Sequence, residues 1–173
     1  MPGPAARLRR CIRVAPICTV ALAVGAVSAP ALSTKDRITH SGLGAVKLGM
    51  TERQVERAAN RTIKLQSARG SDCALATLAL KTQGLFTGKR LRRIYILTPR
   101  FATTGGIRVG SSEKRVLAAY PDKLVRAPQK YADEDDLVLR KGKLKIIFSL
   151  ANGKVEEIST GRTPEINLVE RCS

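Results

Sequence analysis

Two apolar spacings organise this chain. Between positions 51 and 60 the apolar residues Val55, Ala58 and Ala59 fall three and four apart, which is one face of a helix. The same spacing returns between 112 and 120 with Val116, Ala119 and Tyr120. Short helices are therefore predicted over 51–60 and 112–120. Thr51 followed by Gln54 fits a capping box, and Met50 in front of it is placed to staple onto Val55. Ser112 caps the second segment, and Glu113 suits the positive end of its dipole. Helices of two to three turns are marginal alone, so each needs its apolar face covered by another element.

Elsewhere the period is two. From Lys143 onward Leu144, Ile146, Phe148 and Leu150 take the even places while Lys141, Lys143, Lys145 and Ser149 take odd ones, with Ile147 as the exception. That alternation predicts a sheet with one wet face. Asn152-Gly153 supplies a tight hairpin turn, after which 155–160 returns as a strand; 137–140 begins the run. In the first half, 73–80 and 91–98 read as strands, the second marked by Ile94, Tyr95, Ile96 and Leu97. The stretch 81–88, with two glycines, reads as the turn between them. Residues 122–136 read as a long polar connection containing Pro128.

The segment Gly44–Ala58 recurs 61 positions later as Gly105–Ala119, with identity at Gly44/Gly105, Gly49/Gly110, Glu52/Glu113, Val55/Val116 and Ala58/Ala119. Self-similarity at a fixed offset is a statement about architecture. The halves also end alike, since Gly88-Lys89 through Ile94 parallels Gly153-Lys154 through Ile158 if one residue is dropped. Arg92 and Arg93 then answer Glu156 and Glu157, and strands carrying these opposite charges are expected to lie close across the halves. The expected fold is α+β, a tandem repeat of a short helix plus antiparallel strands. Its parts are a leader 1–33, a linker 34–43, unit one at 44–98, a connection 99–104, unit two at 105–165 and a tail 166–173 carrying Cys172.

The leader reads as a secretory signal peptide. Arg7, Arg9, Arg10 and Arg13 precede an apolar run over 17–27, and small residues at Ala29, Ala31 and Ser33 permit cleavage after Ala31 or Ser33. An uncleaved anchor is the alternative, because 14–32 is almost free of polar groups. The mature chain is then secreted or held in the periplasm or cell envelope. Of the four cysteines in the full sequence, Cys11 and Cys18 leave with the leader, and in an exported chain the remaining Cys73 and Cys172 are expected to pair.

The formal charge is +17, and removing 1–33 takes four arginines and no acid, leaving 27 basic against 14 acidic residues. Such an excess draws anionic surfaces and also keeps a secreted domain soluble. Arg140, Lys141, Lys143 and Lys145 form the candidate polyanion face. The run Asp133-Glu134-Asp135-Asp136 lacks the glycine and spacing of a calcium loop and reads as a solvated acidic loop. No metal, cofactor or catalytic set is expected, with His40 the sole histidine. Nucleic acid is disfavoured by three Phe, three Tyr and no Trp.

The series Gly44-x-Val46-Lys47-Leu48-Gly49-Met50-Thr51 with Gln54 and Val55, echoed at Gly110-Ser111-Ser112 and Val116, resembles the tandem-repeat β-lactamase inhibitory protein family. It is also similar to the outer-membrane assembly lipoproteins of the SmpA/OmlA kind, which carry one such unit. These residues are the turn and cap of those families and not their recognition surfaces, so the resemblance implies architecture alone. The scarcity of aromatic anchors departs from the first family, and Ala15-Pro16-Ile17 before Cys18 departs from a lipid-attachment signal of the second. The functional expectation is an exported, non-enzymatic binding module with an unidentified protein or envelope partner. The alternative is a glycan- or lipid-surface binder acting through its basic face.

Overall fold

The computed structural model describes residues 31–67, 71–130, 133–167 and 172. The leader expectation therefore lies outside the described residues, apart from 31–33. Both predicted helices form, α1 as Glu52–Ala59 and α2 as Glu113–Ala119. At the start of α1 the Gln54 side-chain oxygen accepts the Thr51 N–H at 2.8 Å and the Thr51 hydroxyl at 3.1 Å. At the start of α2 the Ser112 hydroxyl oxygen accepts the Arg115 N–H at 3.3 Å. Each helix buries its periodic residues, Val55, Ala58 and Ala59 in one and Val116 in the other.

Short strands build a separate small sheet. It contains β1 (Arg37–Thr39), β2 (Gly42–Leu43), β3 (Val46–Lys47) and β8 (Ala102–Thr103) in the order β3-β2-β1-β8. The expected linker 34–43 is thus part of the fold, because Ile38 and Leu43 are wholly buried and draw the polar residues around them into pairing. The expected connection 99–104 is corrected for the same reason. Phe101 is wholly buried, and Ala102–Thr103 lies parallel to β1. Two or three residues show no period, which is why pattern reading missed these strands.

The main sheet has eight strands. They are β4 (Gln66–Ser67), β5 (Cys73–Ala79), β6 (Thr82–Thr87), β7 (Arg90–Ile96), β9 (Leu124–Pro128), β10 (Asp135–Lys141), β11 (Leu144–Ala151) and β12 (Lys154–Arg162). Their order is β4-β5-β6-β7-β12-β11-β10-β9, so each half contributes four neighbouring strands and the halves meet where β7 pairs antiparallel with β12. β6 replaces the expected turn over 81–88. Its Gly84 is a packing residue, since a Cβ there would stand 2.7 Å from Leu91 Cδ1 and 3.1 Å from Leu78 Cδ1. β9 lies within the expected polar connection, at the sheet edge where a terminal proline costs no ladder bond.

One core joins the two halves. Val55, Ile38, Leu43, Ile94, Ile96, Val116, Ile146, Phe148 and Ile158 belong to a single buried cluster, which places both helices and the small sheet on one face of the large one. The two central hairpins are built alike. Their turns are Gly88-Lys89 and Asn152-Gly153, each with two successive positive φ angles, and each hairpin has a register shift, at Leu85/Phe86 and at Ser149/Leu150. The parallel between the two turns therefore runs at one offset and no residue needs dropping. Gly49 N–H donates to Leu91 O at 2.7 Å and Leu91 N–H to Met50 O at 2.8 Å; Gly110 N–H donates to Val155 O at 2.7 Å and Val155 N–H to Ser111 O at 2.9 Å. Gly49 and Gly110 take φ of 87° and 86°, a region that side chains with a Cβ avoid.

Cys73 in β5 is bonded to Cys172, as expected, closing a separation of 99 residues. In the chain-entropy account a loop of that size stabilises the fold by about 4–5 kcal/mol. Cys172→Ser is therefore expected to lower the unfolding free energy by that amount and with it the urea midpoint, to steepen the transition because the freed unfolded chain exposes more surface, and to abolish any effect of reductant. A midpoint within about 1 kcal/mol of the parent would show that the bridge constrains little.

Candidate functional site

The face of the large sheet opposite the helices is not the wet surface that alternation suggests. Ile147, the exception in the pattern, packs there with Val138 and Ile166 as a second apolar cluster, with Ala127 against it. Strand alternation sends Arg93 and Tyr95 of β7 to this side, with Leu97 just past the strand end, and register sets Tyr95 opposite Ser159 of β12. Arg93, Tyr95, Leu97, Val138, Ile147 and Ile166 line a groove of about 540 Å³, and Ser159 is buried beside Tyr95. The end of β9 with Gln129 and Lys130 forms one wall, and the 3-10 turn Glu165–Asn167 contributes Ile166 and Asn167 to another.

Its floor is polar and nearly closed to solvent. Arg93 is 7% exposed, Tyr95 2% and Ser159 0%. The Arg93 guanidinium lies 4.3 Å from the centre of the Tyr95 ring, donates from Nη2 to Ser159 Oγ at 3.0 Å, and stands 3.8 Å from Glu157 Oε1. The cross-half charge pair expected from the sequence thus forms between Arg93 and Glu157, whereas Arg92 faces Glu165 at 3.7 Å. Gly161, registered with Arg93, makes room for this arrangement. A Cβ on it would meet Ile166 Cδ1 at 2.9 Å and the Arg92 carbonyl oxygen at 3.0 Å.

Asp136 completes the groove beside Ser149. Burial raises its pKa above the ordinary carboxylate value, opposed by a Ser149 hydrogen bond and the Arg93 charge and reinforced by neighbouring Asp135. The rest of the acidic run disperses. Glu134 accepts the Gly153 N–H at the tip of the β11–β12 hairpin, at 3.1 Å, and no cluster of metal-type ligands occurs among the described residues.

The four predicted basic residues separate. Arg140 and Lys145 are directly opposed on β10 and β11 and both line the groove, where burial and then the Arg140 charge lower the Lys145 pKa. Lys145 Nζ donates to Asn167 Oδ1 at 2.6 Å. Lys143 occupies the hairpin turn beside Gly142, and Lys141 pairs with Leu144 on the opposite face, near enough to His40 to lower the histidine pKa after burial has done so. His40 is half-buried rather than solvated, and its carbonyl oxygen accepts the Thr160 hydroxyl at 3.2 Å. Sequence reasoning missed Tyr95, Asp136, Ser149 and Ser159. The alternation of Arg93, Tyr95 and Leu97 was the available signal.

Because the folded-state pKa of Asp136 is raised, the folded chain holds its proton more tightly than the unfolded chain does. Stability tied to that proton is complete below the unfolded pKa, near 4, and is lost as pH rises through the folded value. Asp136→Asn is expected to raise the thermal midpoint at pH 7, with the gain fading as pH falls through the raised folded value and gone below about pH 4. A gain independent of pH, or none, in a melting series from pH 3 to 8 would refute the assignment.

No protein-family model matches this chain, and no curated protein does. Two solved structures are similar in shape. One is the uncharacterised protein yfeY from Escherichia coli, 13% identical with a TM-score of 0.49, covering 73% of this chain and 99% of that one. The other is a DUF4309 family protein, YjgB, from Bacillus subtilis, 12% identical with a TM-score of 0.45, covering 75% of this chain and 90% of that one.

Proposed function

We propose that this chain is an exported, non-enzymatic binding module built from two copies of one helix-plus-strands unit, and that it holds a protein partner in the groove of its large sheet. The observation carrying the reading is the groove floor, where Arg93, Tyr95 and Glu157, with Ser159 buried beneath as a partner of Arg93, form a polar network on a sheet face that helices leave uncovered. A rigid polar floor flanked by apolar Val138, Ile147 and Ile166 suits a partner offering mixed chemistry. The matched hairpin turns, register shifts and backbone bonds support the duplication. The Cys73–Cys172 bond supports an oxidising compartment.

The polyanion alternative is favoured by the opposed pair Arg140 and Lys145. Against it, Asp136, Glu156 and Glu157 line the same groove. The two readings part in an affinity capture from envelope and culture fractions at low and high salt. A charge-swapped rim, Lys130→Glu with Glu156→Lys, leaves net charge unchanged and is expected to lose a partner that the parent retains at high salt. Under the alternative, capture collapses with salt and fails when Arg140, Lys141, Lys143 and Lys145 become glutamate.

Leu32 favours the earlier of the two cleavage positions. It is 9% exposed within the main core, and its carbonyl oxygen accepts Arg100 Nη2 at 3.5 Å. Cleavage after Ser33 would delete it and forfeit about 2 kcal/mol of apolar burial. Intact mass of the exported protein is expected to correspond to a chain beginning at Leu32. A mass beginning at Thr34, or retention of 1–31, would contradict this processing.

A further inference from the structure

A second cavity, of about 440 Å³, opens on the helix side of the large sheet and is far more one-sided in charge. Its lining includes Lys47, Arg90, Arg92 and Arg162, with Ser41 and the backbone of Gly49, over apolar Leu48, Leu91 and Leu144; no carboxylate lines it among the described residues. Register explains the crowding. Gly161 pairs with Arg93, so Arg162 and Arg92 both adjoin the end of that ladder, and Leu144, paired with Arg162, has Lys141 on its other side. Cations gathered at one cavity repel one another unless something neutralises them. Glu165, 3.7 Å from Arg92 Nε, answers one of the four.

The cavity is held open by contacts that leave donors over. Lys47 Nζ donates to Gly44 O and Arg90 Nη1 to Gly49 O, the latter at 2.9 Å, so two cations are tethered to the repeated glycine loop. A lysine carries three donors and an arginine five, and guanidinium groups bind phosphate oxygens in paired fashion. We propose that this cavity is a binding site for a phosphate-bearing ligand, with Arg162, Arg90 and Lys47 as its principal contacts. It lies on the other side of the sheet from the groove, shares no lining residue with it, and does not depend on the function proposed for it.

The test uses the mature chain at low ionic strength with two probes, tripolyphosphate by titration calorimetry and phosphatidylglycerol vesicles by sedimentation. Binding of the first without the second identifies free phosphate chains; binding of vesicles alone identifies a lipid headgroup. Arg90→Gln with Arg162→Gln is expected to weaken the observed binding by about tenfold or more. Arg53→Gln with Lys114→Gln, removing the same charge from the exposed faces of α1 and α2, is expected to change it by less than about twofold. Arg162→Gln alone, free of ligand, is expected to melt no lower than the parent because it relieves the crowding with Arg92. The proposal is overturned if neither probe binds, if both double variants lose affinity equally, or if Arg162→Gln melts more than about 5 °C lower.

Discussion

The structure depends on the pairing of β7 with β12. Four registered pairs, Ile158 with Ile96 through Gly161 with Arg93, join two four-stranded halves into one sheet. Neither half has an independent interior. Val55 from the first helix and Val116 from the second sit in the same cluster as Ile94 and Ile158, which flank the seam from opposite strands. Hydrophobic burial therefore rewards joining, and the seam supplies direction through its ladder bonds. On the reverse side the same seam must accommodate an arginine, and Gly161 with the ring of Tyr95 provides the space and the flat surface for it.

Legibility in the sequence followed the length of each pattern. Both helices and the hairpin from 144 to 160 carry enough periodic residues to declare themselves, and the capping residues Thr51 and Ser112 act where the chain places them. β1, β2 and β8 carry one or two buried residues each, and no period can be read from Ile38 alone. Gly84 misled because glycine marks turns and close packing with the same letter. The pair Arg93 and Glu157 was visible as a charge reversal between the halves. The groove around it was not, because Asp136, Ser149, Ser159 and Tyr95 are brought together by strand order across 64 positions of sequence.

The basic residues show why a run of like letters is a poor guide to a surface. Arg140, Lys141, Lys143 and Lys145 are neighbours in sequence, yet a hairpin turn distributes them between two faces and a loop tip. Lys47, Arg90, Arg92 and Arg162 are scattered in sequence, and strand register gathers them at one cavity. Charge thus divides by face. The groove side mixes acids with its cations, while the helix side concentrates unbalanced cations at one end.

The tyrosine under Arg93 has an optical consequence. With three tyrosines and no tryptophan, this chain emits only in the tyrosine band, and Tyr95 is shielded in the groove floor from quenching by bulk water. Any tryptophan emission from a mixture belongs to whatever has been added. An indole settling into the groove would accept energy from Tyr95 at very short range, so a partner that brings one reports its own arrival without a dye.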